Sequence, residues 1–197
     1  WVSRVTRNDD GSYSICNVVG ADEYANGVDD NAFTNGAAIR ALEYACEAAK
    51  ICNEPVPEKW EEVGKGIRIL RFKDGVTREH ATYNGEMIKQ ADVNLLGYPL
   101  YFVGDAESQK KDMEYYVDKI DPQNGPAMSY SVFCVQYARM GDAKRAYEMF
   151  CRCYQPNLRA PFGVLAETPT SDNPYFMTGA GGLLQAVING FCGLQIT

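Results

Sequence analysis

Apolar residues recur every three or four positions over much of the chain, and this spacing predicts helices. The clearest run is NAFTNGAAIRALEYACEAAK, which extends to about Ile51. Asp29 or Asp30 is in a position to cap its first turn. Residues 1–20 instead alternate polar and apolar positions around an NDDG turn, which predicts a short hairpin or an extended stretch.

Further helices are predicted by the same reasoning. They cover PEKWEEVGKGIRIL, IKQADVNLLGYPLYF, SQKKDMEYYVDKI, PAMSYSVFCVQYARMG, DAKRAYEMFCRCY and TGAGGLLQAVINGFCGL. The sequence therefore indicates one all-α domain over residues 1–197, with little sheet. Its long loops, including a Pro-rich connector over 155–176, carry Glu, Tyr, Asn and Phe. Long loops in a compact domain are usually functional or disordered, and this composition favours function.

Composition excludes several classes of partner. The chain is 46% hydrophobic, enough for a sizeable core, and its net charge is −7. An acidic surface argues against binding nucleic acid or an anionic membrane. No apolar run approaches the ~18–20 residues needed to span a bilayer.

The cysteines do not indicate a metal site. There are seven, without a CxxC pair, and His80 is the single histidine. This spacing does not fit the usual zinc sites, so we expect buried free thiols, no metal and no cofactor. Free thiols weakly favour a reducing compartment, but they do not determine the localisation. The chain opens with WVSRV rather than methionine, and we expect it to be part of a longer protein.

Two acidic residues stand in comparable places, each in a loop that leads into a helix. Glu23 lies in GADEYANGVDDNAFTN and Glu167 lies in VLAETPTSDNPYF. In a helical barrel such loops gather on one face, where two carboxylates across a sugar-sized cleft can cleave a glycosidic bond. An acid before a helix is also commonly a cap or a partner of the helix dipole, so spacing alone leaves both roles open.

Four blocks of sequence resemble glycoside hydrolase family 65, in the same order. GADEYANGVDDNAFTN resembles the family's G-P-D-E-Y…V-D-N-N-A-Y-T-N block, with Ala21 in place of proline. WVSRV, IKQADV and GLLQAVINGFCGL resemble three further blocks, so the likeness spans nearly all of the chain. It implies the C-terminal part of an (α/α)6 barrel of the six-hairpin glycosidase type. The remaining N-terminal part of that barrel is then an expected partner.

The resemblance also implies roles for individual residues. Glu23 matches the family's general acid. Lys89 and Gln90 match residues that hold the glucose whose anomeric carbon reacts. Apart from the resemblance, Tyr24 is an aromatic neighbour of Glu23 that is suited to stacking on a sugar ring, and Trp1 either borders the sugar or simply packs.

The choice between hydrolysis and phosphorolysis depends on the second half of the chain. Family phosphorylases carry a His in the region that here reads FMTGAGG (176–182), which has neither His nor Lys to hold phosphate. Glu167 instead resembles the general base of the hydrolase branch, and GPAMSYSVF (125–133) also resembles that branch. We therefore expect inverting hydrolysis of an α-glucoside, with the carboxylates of Glu23 and Glu167 roughly 6.5–9.5 Å apart. An α-1,2-glucoside such as kojibiose or glucosyl-galactose is favoured.

Two other functions stay open. A phosphorylase of the same family would depend on phosphate for cleavage. A carbohydrate-binding fragment without catalysis is the second alternative, because half of the barrel is absent from the sequence. An isolated half barrel would expose a large apolar face, so association with the missing half or with a second copy is also expected.

Overall fold

The computed structural model describes residues 1–102, 105–173 and 175–195. Its α-helices are α1 (Ala32–Ile51), α2 (Glu58–Gly66), α3 (Ala106–Tyr116), α4 (Met128–Arg139), α5 (Ala143–Arg152) and α6 (Met177–Gln185). A π-helical segment, Ala186–Phe191, continues α6. The described strands form two small antiparallel sheets, β1 (Thr6–Arg7) with β2 (Tyr13–Ser14) and β3 (Leu158–Arg159) with β4 (Val164–Leu165). The predicted all-α class is confirmed, while Pro174 of the predicted connector lies outside the described residues.

The centre of the core is α4. Every residue from Ser129 to Tyr137 is buried, as expected for a helix surrounded by others. It packs against α5, α6 and the π-helical segment. Gly182 permits the close approach of α6, because a Cβ there would lie 2.6 Å from Ser131 Oγ. No helix in the described ranges combines the length and the apolar content needed to cross a bilayer.

A second, smaller core lies between the N-terminal hairpin, α1 and α2. Tyr13 of β2 pairs in parallel with Ile67, and the N–H of Arg68 donates to the Tyr13 carbonyl at 3.2 Å. The predicted extension of α2 to Leu70 is therefore wrong, because pairing with β2 draws the chain out of the helix after Gly66.

The predicted cap of α1 is also wrong by one or two residues. Asn31 is the N-cap, and its side chain accepts a hydrogen bond from the N–H of Thr34 at 2.8 Å. Asp30 is instead bound by Arg68, whose Nε lies 2.8 Å from Asp30 Oδ2. Asp29 accepts a hydrogen bond from the N–H of Asn17 at 2.8 Å. Asp29 therefore holds the preceding loop, and Asp30 connects Arg68 with Asn35 of α1, whose side-chain nitrogen donates to it at 3.3 Å.

The predicted helix over 88–102 does not form. Backbone donors at its start bond to other parts of the chain: Ile88 N–H to the Lys119 carbonyl at 2.9 Å, and Ala91 N–H to Ser129 Oγ at 3.1 Å. Within this stretch the described regular structure is a 3₁₀ turn, Val93–Leu96. The rest is extended or irregular, and it runs beneath the loop that carries Glu23.

The cysteines are all free, as predicted. Three are buried, namely Cys46, Cys134 and Cys153. The expectation of burial is wrong for the exposed thiols, which are those of Cys16, Cys52 and Cys192.

Candidate active site

The loop between β2 and α1 carries Glu23 and is tied to the segment 89–92. The Glu23 side chain is 59% exposed, so it is accessible to a substrate, and it forms an ion pair with Lys89. The backbone N–H of Lys89 donates to Asp22 Oδ1 at 2.7 Å, and the side-chain amide of Gln90 donates to the carbonyl of Ala21. Two predicted glucose-binding residues thus contact the loop that presents the predicted general acid.

Asp92 anchors the same loop from inside the protein. Its Oδ2 accepts hydrogen bonds from the N–H groups of Ala21 at 2.7 Å and Asp22 at 3.2 Å. Asn31 Nδ2 donates to both Asp92 oxygens, at 3.0 and 3.1 Å. Burial raises the pKa of Asp92 to about 6, against the effect of these hydrogen bonds. Gly20 is required beside it, because a Cβ there would overlap Asn31 and Asp92.

Glu167 lies half-buried just after β4, next to the N-terminal end of α4. Its carbonyl accepts hydrogen bonds from the N–H of Ala127 at 3.0 Å and from Asn157 Nδ2 at 3.0 Å. These bonds fix the backbone of Glu167 and involve none of its side-chain atoms.

The charges of both Glu23 and Glu167 act on the side chain of Lys89. Its pKa is raised, first by the hydrogen bond with Glu23 and further by the negative charges of Glu23 and Glu167, while burial acts in the opposite direction. Gly125 allows the two loops to meet, because a Cβ there would lie 3.1 Å from the Lys89 carbonyl oxygen. Ala127, two residues further on, bonds to Glu167. Both predicted catalytic carboxylates therefore lie within electrostatic reach of one ammonium group.

Tyr24 lies beside this group and lines a cleft of about 300 Å³. Its hydroxyl donates to Asp121 Oδ2 at 2.7 Å, and this hydrogen bond raises the pKa of Tyr24. The N–H of Asp121 donates to the carbonyl of Ile88 at 2.8 Å, next to Lys89. The Tyr24 side chain is half-exposed and suited to stacking on a sugar ring.

Trp1 is linked to these residues by no hydrogen bond or aromatic pair among the residues that the structure describes. It is half-exposed in the N-terminal turn, where its carbonyl accepts a hydrogen bond from the N–H of Arg4 at 2.7 Å. Its place beside the sugar stays a prediction.

Three buried polar residues beneath the Glu23 loop are not among the predicted site residues, namely Asn31, Glu79 and Asp92. Asp92 had a usable signal, since an acid inside the apolar run ADVNLL has to be buried with polar partners. Glu79 had none, because it stands in the polar stretch VTREHATYN, which is typical of an exposed loop.

Comparison with known proteins identifies relatives over the whole chain. The sequence profile of the "Glycosyl hydrolase family 65 central catalytic domain" matches residues 1–84. The chain is 50% identical over 197 residues to a kojibiose hydrolase from Mucilaginibacter mallensis. It is 37% identical over 202 residues to a protein-glucosylgalactosylhydroxylysine glucosidase from Danio rerio. Both alignments cover 100% of this chain, which spans 29% and 30% of the lengths of these two proteins.

The fold has a solved counterpart. A human-microbiome protein named as a kojibiose phosphorylase matches with a TM-score of 0.72 at 19% identity, over 100% of this chain and 34% of that one. This likeness concerns the fold, and it supports the prediction of part of an (α/α)6 barrel. The profile over residues 1–84 and the alignments over the whole chain agree with the resemblance of the sequence blocks, and the chain belongs to glycoside hydrolase family 65.

Proposed function

We propose that this chain is the C-terminal part of the catalytic barrel of an inverting α-glucoside hydrolase. The observation that carries the proposal is the exposed carboxylate of Glu23, which is ion-paired with Lys89, together with the negative charge of Glu167, which also raises the pKa of Lys89. The names of the relatives support it, since the protein at 50% identity is a kojibiose hydrolase. The chain spans 29% of that relative, so the activity is proposed for the whole parent protein.

The mechanism is a single displacement. Glu23 donates its proton to the glycosidic oxygen as the bond from that oxygen to the anomeric carbon breaks. Glu167 accepts a proton from a water molecule, whose oxygen forms the new bond on the opposite face of the sugar. Attack from that face inverts the anomeric carbon and releases β-glucose. Hydrogen bonds from the protein to glucose that strengthen in the transition state raise the rate.

Four residues are proposed to contact the glucosyl group. Lys89 and Gln90 donate to the sugar hydroxyls, and Tyr24 and Trp1 flank the ring. In the structure Lys89 and Gln90 donate to Glu23 and Ala21, so both side chains already point to the loop where the sugar would lie.

The favoured substrates are α-1,2-glucosides. Two relatives carry names that refer to kojibiose and to the glucosylgalactosyl unit, and both of these sugars present an α-glucosyl group. The segments GPAMSYSVF and NPYFMTGAGG resemble this branch of the family more than they resemble the acid trehalases.

Phosphorolysis is the competing function, because the solved counterpart of the fold is named as a phosphorylase. Phosphate would then replace both the water and the general base. The stretch 176–182 contains neither His nor Lys, which weighs against a phosphate site there.

The experiment is glucose release from kojibiose and trehalose by the parent protein, with and without phosphate. The variants are Glu167→Gln and the control Glu148→Gln, an exposed residue of α5. We expect phosphate-independent release of β-glucose, followed by NMR, and a loss of about 10²- to 10⁴-fold in Glu167→Gln alone. Cleavage that requires phosphate and is insensitive to Glu167 would establish a phosphorylase. Absence of any cleavage would favour the non-catalytic alternative.

A further inference from the structure

Three carboxyl groups are buried together beneath the Glu23 loop. Asp22, Glu79 and Asp92 are 2%, 0% and 0% exposed. Asp22 and Asp92 accept backbone hydrogen bonds, as described above. Neither carboxyl oxygen of Glu79 has a hydrogen-bond partner among the residues that the structure describes. An unpaired acid at the centre of such a group requires a physical explanation.

The backbone holds Glu79 in this position. The N–H of Ala32 donates to the Glu79 carbonyl at 2.7 Å, and Asn31 Nδ2 lies 3.5 Å from the same oxygen. The N–H of Ala81 donates to the carbonyl of Asp29 at 2.9 Å. Glu79 is thereby fixed against the first turn of α1. Its side chain is fully buried, and the residue belongs to the lining of the cleft that also contains Tyr24.

The surroundings of Glu79 strongly favour its neutral form. An ionised carboxylate without a partner is very costly in the interior, and such a group takes up a proton instead. Burial raises the pKa of Glu79 to about 9, with further contributions from the charges of Asp92 and Asp22. His80 supplies no compensating cation at neutral pH, since burial lowers its pKa. The other titratable groups that face this region are Glu86, Tyr83 and Tyr116, none of which is a cation.

We propose that Glu79 is a positioning residue for the reaction proposed above, acting as a neutral carboxylic acid beneath the Glu23 loop. Asp22 binds the N–H of Lys89, and Asp92 binds the N–H of Ala21, so these two carboxylates hold the Glu23–Lys89 pair. A third negative charge in the same region would repel both of them. The proton on Glu79 removes that repulsion and keeps the loop in its place.

Two variants of Glu79 in the full-length parent protein test this role. Glu79→Gln keeps the shape without a charge, so we expect kcat close to that of the wild type. Glu79→Ala leaves a gap beneath the loop, and we expect a loss in kcat of about 10²-fold, since small misplacements of catalytic groups have effects of this size. Glu148→Gln is the control for kcat, because Glu148 is an exposed residue of α5, and Glu86→Gln serves only as the spectroscopic control below.

Two further measurements do not depend on catalysis. At neutral pH the infrared spectrum of the wild type should contain a carboxylic-acid C=O band that disappears in Glu79→Gln and persists in Glu86→Gln. The second is stability against pH. A raised pKa makes the contribution of Glu79 to stability greatest below its ordinary value of 4.5, and this contribution is lost as the pH rises towards 9. As the pH rises from about 5 to about 8, the free energy of unfolding of Glu79→Gln should therefore increase relative to that of the wild type. The slope of this difference against pH should correspond to about one proton.

The outcomes separate this inference from the proposed function. The inference would be overturned if the wild type and Glu79→Gln gave the same infrared band and the same dependence of stability on pH. These results would show that Glu79 is ionised. A Glu79→Gln enzyme as inactive as Glu79→Ala would show that the negative charge is needed, with the same consequence. If the wild-type parent cleaves no glucoside, the proposed function fails and the positioning role fails with it. The spectrum then still decides whether Glu79 holds a proton.

Discussion

Lys89 is paired with Glu23 in this structure, and this pairing has to change for Glu23 to act as a general acid. A general acid must present its carboxyl group to the glycosidic oxygen, and in this ion pair the carboxyl group of Glu23 is held by Lys89 instead. When a glucosyl group binds, its hydroxyls compete for the ammonium group of Lys89. We therefore expect Lys89 to exchange Glu23 for the sugar, so that sugar binding releases the carboxyl group of Glu23 from the ion pair.

Substitution of Lys89 tests this exchange. Lys89→Met in the parent protein should lower kcat/KM for kojibiose by about 10- to 150-fold, because a hydrogen bond to a charged group contributes about 1.5–3 kcal/mol. Lys65→Met is the control, since Lys65 also pairs with a glutamate, Glu61 at 3.2 Å, but lies on α2 away from the loop. Steady-state kinetics of both variants is the measurement. An unchanged kcat/KM in Lys89→Met would show that this lysine does not hold the substrate.

Individual residues differ in how far the sequence predicts them. Glu23, Lys89 and Gln90 lie in blocks that resemble the family, and the structure brings them together. Glu79 and Asp92 act through burial, which depends on chain segments far away in sequence. A buried acid and an acid in solvent look alike where the surrounding sequence is polar, so Glu79 emerges only from the fold. Asp92 is different, because the apolar run around it indicates burial.

At the scale of elements, Asn31 connects the start of α1 to the Glu23 loop. Its side-chain oxygen caps the helix by accepting a hydrogen bond from the N–H of Thr34, and its side-chain nitrogen donates to Asp92. Since Asp92 holds the N–H groups of Ala21 and Asp22, the helix and the loop share one anchor.

Asn31→Ala should therefore destabilise the parent protein by more than loss of an ordinary cap. We expect about 2–4 kcal/mol, from the cap together with the buried hydrogen bond that Asp92 loses. Asp105→Ala is the matched control, because Asp105 caps α3 by accepting a hydrogen bond from the N–H of Ser108 at 2.7 Å on the surface. That change should cost about 1 kcal/mol. Denaturant unfolding of both variants is the measurement, and equal losses would show that the bond to Asp92 contributes nothing.

The elements also show where sequence patterns succeed and fail. Two local signals correctly predict elements of the structure. The spacing of apolar residues predicts α1, and Gly141–Asp142 marks the boundary between α4 and α5. The apolar run 88–102 has a helical composition, but its backbone donors bond to Lys119 and Ser129. Tertiary hydrogen bonds therefore override its helical propensity. This stretch shapes the site, so the failure of the pattern coincides with the functional part of the chain.

At the scale of the whole molecule, the chain exposes more surface than its size requires. Its accessible area is 10580 Å², whereas a folded monomer of 21.9 kDa is expected to expose about 9,300 Å². The difference of about 1,300 Å² is comparable to the total area that a specific interface buries. Leu184, Ile188 and Phe191 form an apolar stripe at helical spacing, with exposures between 43% and 61%. We expect the remaining N-terminal part of the barrel to cover such surfaces in the parent protein.

This excess of surface predicts the behaviour of the 197 residues in isolation. Without a covering partner, the stripe should drive self-association, because contiguous exposed apolar surface of this kind is uncommon in monomers. Light scattering should give a mass above 21.9 kDa that increases with concentration. Leu184→Glu should shift the isolated chain towards the monomer, since a charge would then have to be buried in the contact. Tyr147→Glu, at an equally exposed aromatic residue of α5, should leave the association unchanged. A chain that stays monomeric at every concentration would show that this surface needs no partner, and the half-barrel would then be a stable unit of the fold.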